Sequence, residues 1–431
     1  MKLKIILTCF ILLPLIYDAV TLPVIDRQRT KPLPDEVADV YTKERWQTFA
    51  AYKHDSRHPY LLHVMIGALL DLFAIWSPFY LWMEKLSHGS VYFLAFITLT
   101  IEFLLAQASD LPYSYYTTFT IEERYGLNRK TKKEFFHDEI IEAAGSYAAA
   151  LALFLLLVFV LEHLSAWTNG FQITLAASFR LVLILCAGAF VFFVLLSLFS
   201  LFIMRRQYKF TELEDGELKT KILGLLHGCK KKIRRIEVYN ESSKSTTKNA
   251  FLLKILWYRS FGIADNFINE NSEDELLGVL AHEAGHLRHK KSIWNWLSYL
   301  FIACIVAGIA LALPHAGKAS VLIGTINASF GLSMHAWVLY ITVLLSALRP
   351  LTFLLSLYRN ALSRSEEYEA DRNAVKEGYG EALIRTFKQL SSDELVDVNP
   401  ADCIEFMEYD HPGMYHRIQA IRKAEQELKC D

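Results

Sequence analysis

The side chains best equipped for chemistry in this 431-residue chain are His282-Glu283-Ala284-Gly285-His286. Histidines four apart share one helical face, so a single ion can take both imidazoles, while the glutamate between them is placed to accept a proton from water. Two imidazoles do not complete a catalytic zinc site, which commonly adds one carboxylate and leaves a position open. The run Ser363-Arg364-Ser365-Glu366-Glu367-Tyr368-Glu369-Ala370-Asp371 is the best source of that third ligand.

Such a motif needs a helix to hold it. Ser272-Glu273-Asp274-Glu275 supplies a capping box and an acidic first turn, Leu276, Leu277, Val279 and Leu280 supply apolar faces, and Arg288, His289, Lys290 and Lys291 a basic end. Around this helix the chain is 53% hydrophobic and 13% aromatic, which points to lipid as the main solvent. Apolar stretches at 5–22, 60–83, 90–109, 144–164, 173–204, 293–314 and 332–358 are each about long enough to cross roughly 30 Å of hydrocarbon. The long basic connections 23–59, 110–143, 205–292 and 359–431 all fall on one side, read as cytosolic. Met1-Lys2-Leu3-Lys4 before the first stretch also suits a signal peptide, but Asp18 and the bulky residues after it make a poor cleavage site.

Asp71, Glu102, Arg180 and Arg349 lie within the expected spans and must pair or meet water, either as isolated helix contacts or around a polar cavity. A net charge of -1 gives no field that would steer nucleic acid, and the six cysteines form no C-x-x-C pair, so neither a disulfide framework nor a cysteine-ligated zinc is expected.

The pattern as a whole resembles the type I CAAX prenyl proteases, seven-span membrane zinc metalloproteases. Besides His282-Glu283-x-x-His286, the Ser363 to Asp371 run matches that family's S-R-x-x-E-[FY]-x-A-D block, which makes Glu367 the third ligand and Asp371, one turn on, an acceptor that orients a zinc-bound imidazole. Leu111-Pro112-Tyr113-Ser114-Tyr115-Tyr116 through Thr131 is similar to the family's loop after the third span. Lys248-Asn249-Ala250-Phe251 is similar to its strand before the zinc helix, where Asn249 and Ala250 would border the cleft and pair with substrate backbone. His411-Pro412 with Arg417 resembles its H-P block, which places His411 at the substrate carbonyl or its developing oxyanion, and Arg417 either at substrate or in a structural ion pair. Leu287 stands where the family would have an aromatic residue, and the chain ends Lys429-Cys430-Asp431 without a dilysine signal.

The resemblance implies a mainly α fold: a polytopic seven-helix transmembrane bundle with a cytosolic zincin-like metalloprotease domain containing a small β-sheet. Residues 1–204 would hold spans one to five, 205–292 the strands and zinc helix, 293–358 spans six and seven, and 359–431 the part with the third ligand. It also implies one Zn2+ ion, with Glu283 activating water, and a prenylated CAAX protein cut after its modified cysteine to release the last three residues. Membrane lipid would be a partner and the endoplasmic reticulum or nuclear envelope the location, with the site facing the cytosol or the membrane interior. Two rivals stand beside it: a quality-control membrane zinc protease without prenyl specificity, and a non-catalytic scaffold or transporter that retains a zinc site. Oligomeric state is left open.

Overall fold

In the computed structural model the described residues are 1–167, 194, 196–227, 233, 235–255, 258–288, 317–333, 338–339 and 348–430. Helix α1 covers Lys2–Arg29, α2 Lys43–Trp76, α3 Phe79–Leu86, α4 Val91–Tyr116 and α5 Lys132–Trp167. Among the described residues, four segments are long and apolar enough to cross a membrane: Lys2–Arg29, Lys43–Trp76, Val91–Glu122 and Lys132–Leu156. The expected spans 173–204, 293–314 and 332–358 lie wholly or partly outside the described residues, as do Arg180 and the 289–291 basic end.

The helices outrun their apolar stretches. Helix α2 starts at Lys43, where Thr42 Oγ1 accepts the Arg45 backbone N–H at 3.2 Å, and passes through Pro59. Lys, Glu, Arg and Gln propagate a helix nearly as well as leucine, so hydropathy registers only the lipid-length part of it. At its other end α2 stops at Trp76 and Ser77-Pro78 turns the chain into α3, dividing the apolar stretch 60–83 between two helices. Large apolar side chains on these helices face outwards, including Leu62, Leu69, Phe73, Leu104 and Ile140, as befits helices surrounded by lipid tails. Inside, Asp71 and Glu102 share the lining of a cavity of about 510 Å³, and the Tyr80 hydroxyl donates to Glu102 at 3.3 Å.

Apart from the helix Gly317–Phe330, whose Ile326 and Phe330 are buried with Leu7 of α1, the remaining elements build a second layer. Strands β1 (Phe210–Glu212), β2 (Arg235–Tyr239), β3 (Ala250–Ile255) and β4 (Tyr258–Ala264) form a sheet in the order β1-β2-β4-β3. The β2–β4 pair is parallel and the other two are antiparallel. Helix α6 (Glu217–Leu226) precedes β2, α7 (Asp265–Glu270) follows β4, and α8 (Glu273–Arg288) carries the two histidines. After α9 (Gly317–Phe330) come α10 (Arg349–Lys376), α11 (Gly380–Asp393), α12 (Asp402–Glu408) and α13 (Met414–Cys430).

One apolar core unites this layer: Phe261, Ile263, Phe267, Leu277, Leu280, Leu383, Ile418 and Ile421 are buried together. Val37 and Tyr41, from the connection between α1 and α2, and Phe49 of α2 are buried in the same cluster. Arg29 pairs with Asp397 at 2.9 Å and the Tyr41 hydroxyl donates to the carbonyls of Ser391 and Val396, so the N-terminal helices and the C-terminal segment fold as one unit. The loop after α4 serves as a second joint. Gly126, at φ +72°, lets the chain reverse. Asn128 then bridges to Ser245, while buried Lys244 donates to Asp138 of α5 at 2.7 Å.

Candidate active site

The capping box forms as the sequence spacing requires. Ser272 N–H donates to Glu275 Oε2 at 3.0 Å, and Glu275 N–H reaches back to Ser272 Oγ at 3.4 Å. The helix so started packs against α10 at unusually close range. A Cβ on Gly285 would stand 2.8 Å from Ala370 Cα and 3.0 Å from Asn373 Cβ, so the glycine inside the motif is what lets the two backbones meet. Asn373 Nδ2 donates to the Ala281 carbonyl at 2.7 Å, and Arg288 donates to Asn373 Oδ1 at 2.9 Å and also to Glu377. Asn373 and Arg288 thus lock the crossing. Neither Asn373 nor Phe387, described below, was singled out from the sequence, because each matters through a contact with a residue on another helix.

The crossing brings His282, His286 and Glu367 together, with one nitrogen or oxygen of each within 4.8 Å of the others. The His282 and His286 Nε2 atoms are 3.2 Å apart; Glu367 Oε2 is 3.4 Å from His282 Nε2, and Oε1 is 3.3 Å from His286 Nε2. The 3.2 Å between the imidazole nitrogens is close to one edge of a tetrahedron around zinc, roughly 3.3–3.4 Å for ligand bonds of about 2.0–2.1 Å, and each imidazole has a different Glu367 oxygen at a similar distance. Glu367 Oε2 is buried and has no hydrogen bond among the described residues, an arrangement a bound cation would satisfy. The donor set, two imidazoles and a carboxylate, therefore fits a zinc ion.

Asp371 lies one turn beyond Glu367 and is almost fully buried. Its Oδ1 is 2.8 Å from His282 Nδ1, a contact in which the carboxylate accepts, which turns the Nε2 lone pair towards the centre. Arg417 is buried beside it: Nε and Nη2 donate to Asp371 at 2.9 and 2.6 Å, Nη2 stands 3.3 Å from Glu367 Oε2, and the guanidinium lies 4.0 Å from the centroid of the Phe387 ring. The structure thus seats Arg417 in an ion-pair network beneath the donors.

These contacts set the protonation states. Burial works against an ionised Asp371 and Glu367. For Asp371 the charge of Arg417 outweighs it, and for Glu367 the neighbouring imidazoles of His282 and His286 do, so both pKa values fall below the ordinary range. Burial lowers the pKa of His282, but the hydrogen bond to Asp371 and the nearby Glu367 carboxylate outweigh it and raise it to about 9. Glu283, between the histidines, moves the other way: burial raises its pKa despite the two imidazoles. A carboxylate with raised pKa is the stronger base near neutral pH.

His411 borders the centre. His411 Nε2 is 3.5 Å from Glu367 Oε1, and its side chain is 58% exposed. Strand β3 forms one edge of the described sheet. Before it, Asn249 is exposed and its carbonyl accepts the Ala264 N–H at 2.9 Å, while Ala250 is buried.

Against known proteins, the family model described as CAAX prenyl protease N-terminal, five membrane helices, matches residues 24–206, and that of peptidase family M48 matches residues 212–425. The chain is similar to a CAAX prenyl protease 1 homolog of Arabidopsis thaliana, 26% identical over 405 residues and covering 90% of both chains. It is also similar to CAAX prenyl protease 1 of Saccharomyces cerevisiae, 27% identical over 326 residues that cover 74% of this chain and 69% of that one. Its fold is similar to the crystal structure of S. mikatae Ste24p, with a TM-score of 0.78 over 98% of this chain and 99% of that chain at 21% identity.

Proposed function

Because this chain belongs to the type I CAAX prenyl protease family of M48 peptidases and is a multi-pass membrane metalloprotease, we propose that it removes the C-terminal tripeptide from prenylated CAAX proteins, using zinc held by His282, His286 and Glu367. The observation that carries the metal assignment is the gathering of one donor atom from each of those three residues within 4.8 Å, beside a buried carboxylate oxygen that lacks a hydrogen bond. The prenyl substrate is supported by the names of the relatives and by the four sequence blocks shared with that family.

Zinc would supply Lewis acidity, polarising the scissile carbonyl and making water easier to deprotonate. Glu283 takes the proton of the attacking water and delivers it to the departing amine, so the peptide C–N bond breaks as the new C–O bond forms and no acyl group is left on the protein. Asp371 holds His282 in the tautomer that faces the centre, and Arg417 keeps Asp371 ionised. His411, at the exposed lip, donates to the carbonyl oxygen as negative charge develops on it. The edge position of β3 and the exposure of Asn249 support pairing of the substrate backbone near Asn249 and Ala250. By resemblance, the enzyme sits in the endoplasmic reticulum membrane with this layer on the cytosolic side.

The test compares a farnesylated C-a-a-X peptide with its unprenylated twin. Tripeptide release from the farnesylated peptide alone, abolished by a chelator and restored by zinc, is the expected result. Equal cutting of both peptides would give the quality-control reading in its place, and no cutting of either by zinc-loaded protein would favour the scaffold.

A further inference from the structure

Arg364 stands one turn before Glu367 on α10 and reaches over to the exit of α12. There its Nη1 donates to the carbonyls of Tyr409 at 2.6 Å, Glu405 at 3.1 Å and Phe406 at 3.4 Å. A planar guanidinium suits such a cluster of carbonyls at a helix C-terminus, where it also meets the negative end of the helix dipole. A few residues on, the chain is pinned again. The buried Glu405 carboxylate accepts from His416 Nδ1 at 2.8 Å and from the backbone N–H of Gly413. A Cβ at position 413 would come within 2.7 Å of Glu405 Oε2 and 3.1 Å of the Pro400 ring, so glycine lets the chain pass close to that carboxylate.

Between these anchors lie only Asp410, His411 and Pro412. His411 is more than half exposed yet ends 3.5 Å from Glu367, so its place over the site comes from the loop that carries it. The same helix therefore bears the carboxylate of the metal centre and the side chain that grips the His411 loop.

We propose that Arg364 is a positioning residue for the hydrolysis: its grip on the α12 exit sets the His411-Pro412 turn at a fixed height above Glu367. The proposal rests on the reading of His411 as the donor to the substrate carbonyl. Arg364 itself touches neither substrate nor metal in this scheme.

The test is a double-mutant cycle in the full-length protein in detergent, with Arg364→Ala, His411→Ala and both together, measuring kcat, KM and bound zinc. Loss of one oxyanion donor lowers kcat by about 10²–10³-fold. A misplaced donor should lose part of that, so Arg364→Ala is expected to lower kcat roughly tenfold with KM and zinc content near wild type. In the His411→Ala background the same change should cost less than about twofold, because the group it positions is gone. Arg364→Lys should recover much of the rate, and if Arg364→Ala does not fold, Arg364→Gln, which loses the charge and the fork of the guanidinium, is read in both backgrounds instead.

Equal factors in both backgrounds, or a rate loss matched by zinc loss, would overturn the proposal. Unchanged turnover in His411→Ala alone would remove the reading of His411 beneath it. The cycle needs only a peptide that wild type cuts, prenylated or not, and so is separate from the choice of substrate.

Discussion

Gly285 and Gly67 serve their helices in opposite ways. Where α8 crosses α10, Gly285 has backbone within reach of the Cβ it lacks, and the charges around it are paired in a closed network. In α2, Gly67 has nothing within 4 Å of its would-be Cβ, and it borders the cavity shared by Asp71 and Glu102. The difference follows from the work each region does. Holding donors at fixed separations requires helices in backbone contact and buried charges that all have partners. A membrane bundle in lipid gains little from hydrophobic exclusion between its helices and can leave apolar side chains outside and space within.

The comparison can be broken or sharpened by substitution. The largest effect is expected from Glu283→Gln, which should lower kcat by roughly 10²–10⁴-fold with bound zinc unchanged; Glu102→Gln, the same chemical change in the membrane half, should leave turnover near wild type. Steady-state kinetics on both variants, with zinc measured in parallel, decides this. Next is the glycine pair. Gly285→Ala must push α8 and α10 apart, at a cost of about 1–3 kcal/mol, and should release zinc on mild heating, whereas Gly67→Ala should stay within about 0.5 kcal/mol of wild type. Thermal unfolding read on the purified pair shows whether the two positions differ in this way.

Asp371→Asn keeps the shape but removes the charge that orients His282, so zinc affinity should fall about 10–100-fold, as read by competition with a chelator. The smallest effect is on pH. With its pKa raised to about 9 in the metal-free site, His282 carries a proton at neutral pH that zinc must displace. Affinity should therefore fall as pH drops below 9, by about tenfold per unit for one proton released. Zinc titration in two buffers of different ionisation enthalpy counts that proton.

How much of this was legible in the sequence depended on the range of the interactions. His282 and His286 are four residues apart, and Glu367 and Asp371 are again four apart, so helical geometry alone puts each pair on one face. The capping box at Ser272 and Glu275 is equally local. The membrane-length stretches followed from hydropathy and the mainly helical class from the family resemblance, although helix ends did not, since α2 continues to Lys43 through residues that hydropathy treats as loop. What the sequence could not disclose is the set of contacts made across the fold: the Arg364 grip on Tyr409, the Asn373 bond to Ala281 and the stacking of Arg417 on Phe387. Each joins ordinary residues with no local signature. One trace was readable afterwards: Ala370, Asn373 and Glu377 recur at helical spacing along α10, the stripe that faces α8.

The central claim is that the crossing of α8 and α10 holds one zinc ion through two imidazoles and a carboxylate. X-ray absorption at the zinc edge, on full-length protein purified without added metal, tests it directly. The account predicts one zinc per chain with nitrogen and oxygen neighbours only, at about 2.0–2.1 Å, and an imidazole signal that disappears in the doubly substituted His282→Ala, His286→Ala protein. A sulfur neighbour at about 2.3 Å, or zinc that persists in that variant, would contradict it.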